Sequence, residues 1–226
     1  IKDFTELGSG FKIAMRDLSI RGAGNLLGAQ QHGFIDSVGF DLYSQMLTEA
    51  VQRKQGKNTQ TEKTSVEIDL GIDAYLPTTY IEDERQKIEI YKRIRELETI
   101  DMLDELQDDL MDRFGEYPDE VAHLLAVGEL KMNGDRALLE RIRKQEQLIT
   151  VVLSKVGTKA YTVEQLFKSL GHTKLKATLG VEKEQMHLKL TIPNGMKTMV
   201  WLHEVQSFVA DLRKERYQTM KEKTTQ

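Results

Sequence analysis

The stretch Thr99–Val121 reads TIDMLDELQDDLMDRFGEYPDEV. Leu103, Leu106, Leu110 and Phe114 recur three or four residues apart, which places them on one face of an α-helix. Thr99 stands where an N-cap oxygen would receive the first free amides. Gly115 stands just past the last turn, where a left-handed residue closes a helix at least steric cost. Pro118 opens the next helix, with Asp119 and Glu120 suited to its positive end, and Val121, Leu124, Leu125 and Gly128 make its inner face. The stretch therefore predicts two helices joined by a short loop. It also carries a run of carboxylates at Asp101, Asp104, Glu105, Asp108, Asp109 and Asp112. Such a run is most simply the solvated side of a helix; a docking face is the sharper reading.

Outward from this pair, Asp83 with Gln86 resembles a capping box, and Ile90, Ile94 and Leu97 share one face of the helix it would open. Residues 66–70 (VEIDL) alternate with period two, as a strand does. Beyond about residue 138 the texture changes. Residues 147–153 read as a strand, and Thr162 with Gln165 caps a short helix ending at Gly171. Residues 174–179 and 186–192 read as strands around a turn at Gly180. Pro193-Asn194-Gly195 is a turn, and a final helix carries Trp201, Val205, Phe208 and Leu212. Residues 214–226 are polar and are expected to fray. The expected fold class is α+β, with helices packed against a small antiparallel sheet.

Toward the N-terminus the pattern differs. Residues 51–65 (VQRKQGKNTQTEKTS) carry four basic side chains and one acidic, with no large apolar residue after Val51. Such a segment buries too little surface to offset its ordering entropy, and it is expected to be the end of a helix followed by a linker. Residues 11–15 (FKIAM) fit a strand. Residues 38–51 fit a helix with Phe40, Tyr43 and Ala50 on one face. One strand and one helix are too few for a domain, so residues 1–50 are expected to be the tail of a larger one. The first residue is Ile1, and a longer parent protein is expected.

The 226 residues are 39% hydrophobic, carry a formal charge of −4 and contain no cysteine. Disulfides and thiolate metal sites are excluded, and a reducing cytoplasm is permitted. No run of about 18 apolar residues predicts a membrane span. The overall charge argues against a chain that wraps nucleic acid with its whole surface. A stand-alone nucleic-acid module using residues 1–65, where the basic excess lies, is the alternative reading.

No catalytic or metal centre is predicted. Gly22, Gly24 and Gly28 miss the dinucleotide fingerprint, because the third glycine comes one residue late. Gly56-Lys57-Asn58-Thr59 lacks the upstream glycine of a phosphate-binding loop. The histidines at 32, 123, 172, 187 and 203 have no ligand spacing, and no nucleophile elbow occurs. Residues 19–33 (SIRGAGNLLGAQQHG) hold Arg21 between a strand signal and a glycine-rich joint, with Gln30 and Gln31 beyond it. Those groups suit sugar–phosphate contacts, but glycine punctuation alone also fits a plain strand–turn–helix joint.

The run GSGFKIAMRDLSIRGAGNLLGAQQHGFIDSVGFDLYSQML (8–47) resembles the end of the second RecA-like motor domain of the bacterial transcription–repair coupling factors. The segments LPTTYIEDERQKIEIYKRI (76–94) and LMDRFGEYPDEV (110–121) are similar to the start of that family's C-terminal domain. The resemblance implies that residues 1–50 hold a translocation motif, with Arg21, Gly22, Gly24 and Gln31 coupling the motor to duplex DNA. It implies that residues 66–226 form a regulatory domain. In the family this domain packs on an N-terminal repair-protein-like module of the same polypeptide. There it masks the surface that recruits the damage-recognition ATPase of nucleotide excision repair. Asp109, Asp112 and Arg113 match the segment carrying that contact. The parent would use ATP and Mg2+ to translocate on DNA and release stalled RNA polymerase. This chain lacks the motor's nucleotide-binding motifs and is expected to be neither an enzyme by itself nor a holder of cofactor or metal. A bacterial cytoplasmic location is implied.

Overall fold

The structure is a computed structural model that describes residues 65–225. The expectations for residues 1–64, including Arg21, Gly22, Gly24, Gln31 and the linker, lie outside the described residues. The described residues fall into two compact units. One holds residues 71–128, the other residues 65–70 with 129–225.

The first unit is built from α1 (Glu84–Arg95), α2 (Ile100–Phe114) and the first half of α3 (Asp119–Arg136). Each start follows from a local chemical choice. The Asp83 carboxylate accepts from the amides of Arg85 and Gln86 at 2.8 and 3.1 Å. Thr99 Oγ1 accepts from Met102 N at 3.2 Å. Pro118 O receives Val121 N and Ala122 N, both at 3.1 Å. These bonds satisfy amides that a helix start leaves free. Ile88, Ile90, Ile94, Leu103, Leu106, Leu110, Val121, Leu124 and Leu125 form the core.

Gly128 belongs to that core for a steric reason. A Cβ built there would stand 2.6 Å from Ile94 Cγ2, so α1 and α3 touch at a point where only hydrogen fits. The Ile94 methyl is fixed to a branched carbon and cannot swing aside without changing χ1.

The second unit holds a five-stranded sheet in the order β1-β2-β3-β5-β4, from β1 (Glu67–Asp69), β2 (Leu139–Gln145), β3 (Leu148–Leu153), β4 (Lys176–Glu182) and β5 (Gln185–Thr191). It also holds α4 (Lys155–Ala160), α5 (Val163–His172) and α6 (Thr198–Thr224). The fold is α+β, as the sequence reading expected. The sheet is mixed rather than wholly antiparallel. β1 joins β2 in parallel, with Ile68 opposite Ile142, because a long helical connection returns the chain in the same direction.

Other details differ from expectation. The β4–β5 turn lies at Lys183-Glu184, both at positive φ (49° and 64°), and not at Gly180, which pairs with His187 inside the ladder. Moving the turn keeps Leu179 opposite Leu188, whose side chain is fully buried; a one-residue slip would turn that leucine to solvent. The final helix does not fray at residue 214. It runs to Thr224, and α5 braces it. Lys168 Nζ lies 3.0 Å from the buried Glu215 carboxylate, and Gln165 donates to Thr219. Gln165 also completes a capping box with Thr162, so one side chain both starts α5 and ties it to α6. Trp201, Val205, Phe208 and Leu212 are buried.

Gly128→Ala is expected to lower the urea midpoint of unfolding. Overpacking against Ile94 costs about 1–3 kcal/mol, against about 1 kcal/mol gained in helix propensity. An unchanged or raised midpoint would show that the Ile94 contact yields.

Candidate protein-docking face

The two ends of α2 are closed and its inner face is filled, so the direction of every other side chain on it is fixed. Leu103, Leu106 and Leu110 are 6%, 1% and 0% exposed. At the C-terminal end, Gly115 sits at φ 82° and its amide reaches Met111 O at 3.1 Å. The Tyr80 hydroxyl reaches Gly115 O at 2.9 Å and Leu110 O at 3.2 Å, tying the last turn of α2 and the residue that follows it to the segment before α1. Burial raises the Tyr80 pKa, with a further push from Tyr117, so the hydroxyl remains a donor. The Phe114 ring lies between Tyr80, at 5.8 Å between centroids, and the Arg113 guanidinium, at 5.0 Å. Phe114 is half-buried and serves this stack rather than the leucine core.

The three residues grouped by sequence lie within about 100° of one another around α2 and differ in their partners. Asp109 and Arg113 lie on the flank of α2 that faces α1. Arg93 of α1 donates to Asp109. Arg113 Nη1 bridges Asp109 Oδ2 and Glu89 Oε1, both at 3.2 Å. Two cations and two anions thus alternate between the helices. The hydrogen bond from Arg93 depresses the Asp109 pKa most, partial desolvation opposes it, and Arg113 depresses it further. Glu89 and then Asp109 hold Arg113 more firmly protonated. Each of Asp109, Arg93 and Arg113 keeps about a third of its side chain exposed, 32%, 33% and 31%.

Asp112 lies beside them, turned further outward. At 100° per residue it falls with Asp101, Asp104, Glu105 and Asp108 on the side of α2 opposite the leucine stripe. All five are exposed. Among the described residues none of the five has an ion-pair partner. Ile100 and Met111 flank this side at 45% and 43% exposure. The sequence run of carboxylates therefore resolves into one paired residue, Asp109, and an unpaired acidic face with an apolar margin. The partners Glu89 and Arg93 were missed in the sequence. Their signal is the i, i+4 spacing on the outer side of α1, which shows only that they share a face and not what they oppose.

Among the described residues no group of three or more histidine, aspartate or glutamate side chains is placed to hold a metal ion. No helix among them is long and apolar enough to cross a membrane.

The described residues thus have an α+β fold; the first unit presents a charged helix face, and the second holds a five-stranded sheet with a long terminal helix. The TRCF domain family matches residues 70–180. A crystal structure of the C-terminal domain of a transcription-repair coupling factor superposes with a TM-score of 0.64 at 38% identity, covering 69% of this chain and 97% of that one. The transcription-repair-coupling factor of Bacillus subtilis is 48% identical over 97% of this chain, and that of Staphylococcus haemolyticus 50% identical over 92%. The chain belongs to the transcription-repair coupling factor family. It spans 19% and 18% of the length of those two relatives.

Because the folded-state pKa of Asp109 is depressed, its ion pairs add stability above the unfolded value, about 3.9, and lose it as pH falls through the folded value. Asp109→Asn is expected to cost at most about 1 kcal/mol at pH 7, since the partners are partly exposed. The gap between wild type and variant should narrow as thermal unfolding is followed from pH 7 into the acid range, and a gap that stays constant throughout would assign the loss to packing. Tyr80→Phe should cost about 1 kcal/mol at every pH from 4 to 8, measured by the same melts; a variant as stable as wild type would remove Tyr80 from the helix closure.

Proposed function

We propose that residues 66–226 are a regulatory region that holds a DNA-translocating repair factor in check, and that the unpaired acidic face of α2 is its contact surface. The partner is the N-terminal repair-protein-like module of the same polypeptide. The observation that carries this reading is the set of five carboxylates, Asp101, Asp104, Glu105, Asp108 and Asp112, directed away from the core and left without partners, beside exposed Ile100 and Met111. A complementary surface would be basic, with an apolar side chain to meet Met111.

Asp112 is the direct contact among the three residues singled out by sequence. Asp109 and Arg113 act behind it. Their pairing with Arg93 and Glu89 holds α2 against α1, and their exposed thirds extend the charged rim. Exposed pairs contribute roughly 0–1 kcal/mol each, so a contact made from several of them is strong enough to hold within one polypeptide and weak enough to open. In the whole factor, opening would free the surface that recruits the damage-recognition ATPase of excision repair. The same factor would use ATP and Mg2+ in its motor to move along duplex DNA and release stalled RNA polymerase, in the bacterial cytoplasm. Residues 1–50, with Arg21, Gly22, Gly24 and Gln31, would couple that motor to DNA; this part of the proposal rests on sequence.

The test is a titration of the N-terminal module with this chain at two salt concentrations. Asp108→Lys with Asp112→Lys is expected to weaken binding at least about tenfold, through lost attraction and new repulsion. Wild-type binding should weaken as salt rises. Equal affinity of the double variant and wild type would remove α2 as the contact.

A further inference from the structure

The sheet of the second unit ends on two unlike edges. β1 is three residues long, and so short an edge offers little backbone to pair. β4 is seven residues long, Lys176–Glu182, and has β5 on one side only. Its charges stand at its two ends, Lys176 and Glu182, and the residues between are uncharged.

The ladder fixes which backbone groups of β4 point away from the sheet. Ile192 N donates to Gln147 O at 2.7 Å, in continuation of the β3–β5 register. Opposed residues of an antiparallel ladder alternate between exchanging both hydrogen bonds and exchanging none. Leu188 and Leu190 therefore bond to β3, and Gln185, His187, Lys189 and Thr191 turn to β4. In β4, Lys176, Thr178, Gly180 and Glu182 answer them. Ala177, Leu179 and Val181 are left with N–H and C=O directed outward. Among the described residues no backbone hydrogen bond reaches those outward groups. Gly180 adds room, since a Cβ there would meet nothing within 4 Å, and a glycine inside a strand often marks the close approach of another backbone.

The strand KATLGVE complements itself. Laid antiparallel on a second copy, with Leu179 at the two-fold axis, Ala177 meets the partner's Val181 and Leu179 meets the partner's Leu179. These are the residues whose backbone groups point outward, so every one of them gains a bond. Lys176 then stands opposite the partner's Glu182, twice by symmetry, in the closer kind of cross-strand pair. Lys176 has no ion-pair partner among the described residues. Glu182 has Lys189 Nζ at 3.6 Å and His187 Nδ1 at 3.8 Å and is 61% exposed, so it remains reachable. The apolar side agrees. Ala177, Leu179 and Val181 share the pleat side of Leu190, Leu188 and Met186, and Val181 is 63% exposed. A slip by two residues would keep the bonding pattern but separate the charges, and a parallel arrangement would set Lys176 against the partner's Lys176. A lone lysine on an edge deters pairing; here a carboxylate stands at the spacing that matches it in an identical strand. We propose that the free edge of β4 pairs antiparallel with β4 of a second copy of this chain, in the register centred on Leu179. The site lies in the second unit and stands or falls independently of the acidic face of α2.

The test is sedimentation velocity on the 226-residue chain at low salt, from about 10 μM to about 1 mM. A reversible monomer–dimer equilibrium is expected. Lys176→Glu sets like charges opposite each other twice and should weaken the dimer at least about tenfold; Glu182→Lys should do the same. An equimolar mixture of these two variants restores both opposite-charge pairs and should form a heterodimer tighter than either variant alone. Val181→Pro removes an outward donor at a position where an edge strand tolerates proline, and should weaken the dimer while the thermal melt of the monomer is kept. Lys176 is exposed, so the charge variants decide the matter even if the proline unfolds the edge. A monomer throughout the range, a Lys176→Glu dimer as tight as wild type, or a mixture no tighter than its components would each overturn the proposal.

Discussion

The burial of Leu103, Leu106 and Leu110 is the constraint on which the acidic face of α2 depends. Each leucine removed from water contributes about 1.5–3 kcal/mol, whereas each partly exposed ion pair between α1 and α2 contributes about 0–1 kcal/mol. The leucines therefore set the rotation of α2, and the pairs among Glu89, Arg93, Asp109 and Arg113 trim it. Turning the helix by one residue would bring carboxylates toward the core, at a cost no surface pair could offset. Closure of both ends by Thr99, Gly115 and Tyr80 keeps the helix from unwinding at the end where Asp112 lies. The acidic face is thus a by-product of apolar packing, held in place without any contact of its own.

The face of α2 is open to solvent, so salt would screen any contact it makes. In the second unit, polar contacts along α5 and α6 hold the terminal helix in place. Glu215, Thr219 and Arg213 bond to Lys168, Gln165 and Asn133, and the buried Tyr161 hydroxyl reaches Ala137 O and Leu212 O.

Much of this was legible in the sequence, for identifiable reasons. The helices of the first unit announce themselves because caps and apolar spacing agree: Asp83 and Thr99 cap α1 and α2, and Gly128 makes a close contact on the inner face of α3. β2 was not legible. Its residues LERIRKQ hold only Leu139 and Ile142 as apolar members, and its strand character comes from pairing with β1 and β3. α4 is a single short turn capped by Ser154, too brief for periodicity to register. The run past residue 214 reads as polar because its partners lie on α5, far away in sequence. Asp109 and Asp112 differ in partners for a related reason: spacing gives the angle between two side chains, and only the neighbouring helix decides that one is paired and the other is not.

The most direct measurement is carboxyl footprinting with a carbodiimide on the chain alone and bound to the N-terminal module. Asp101, Asp108 and Asp112 are expected to label freely in the isolated chain and to become protected in the complex, while Glu164 and Glu222 stay unchanged. Equal labelling of the three aspartates in both states, in a complex shown to have formed, would contradict the account.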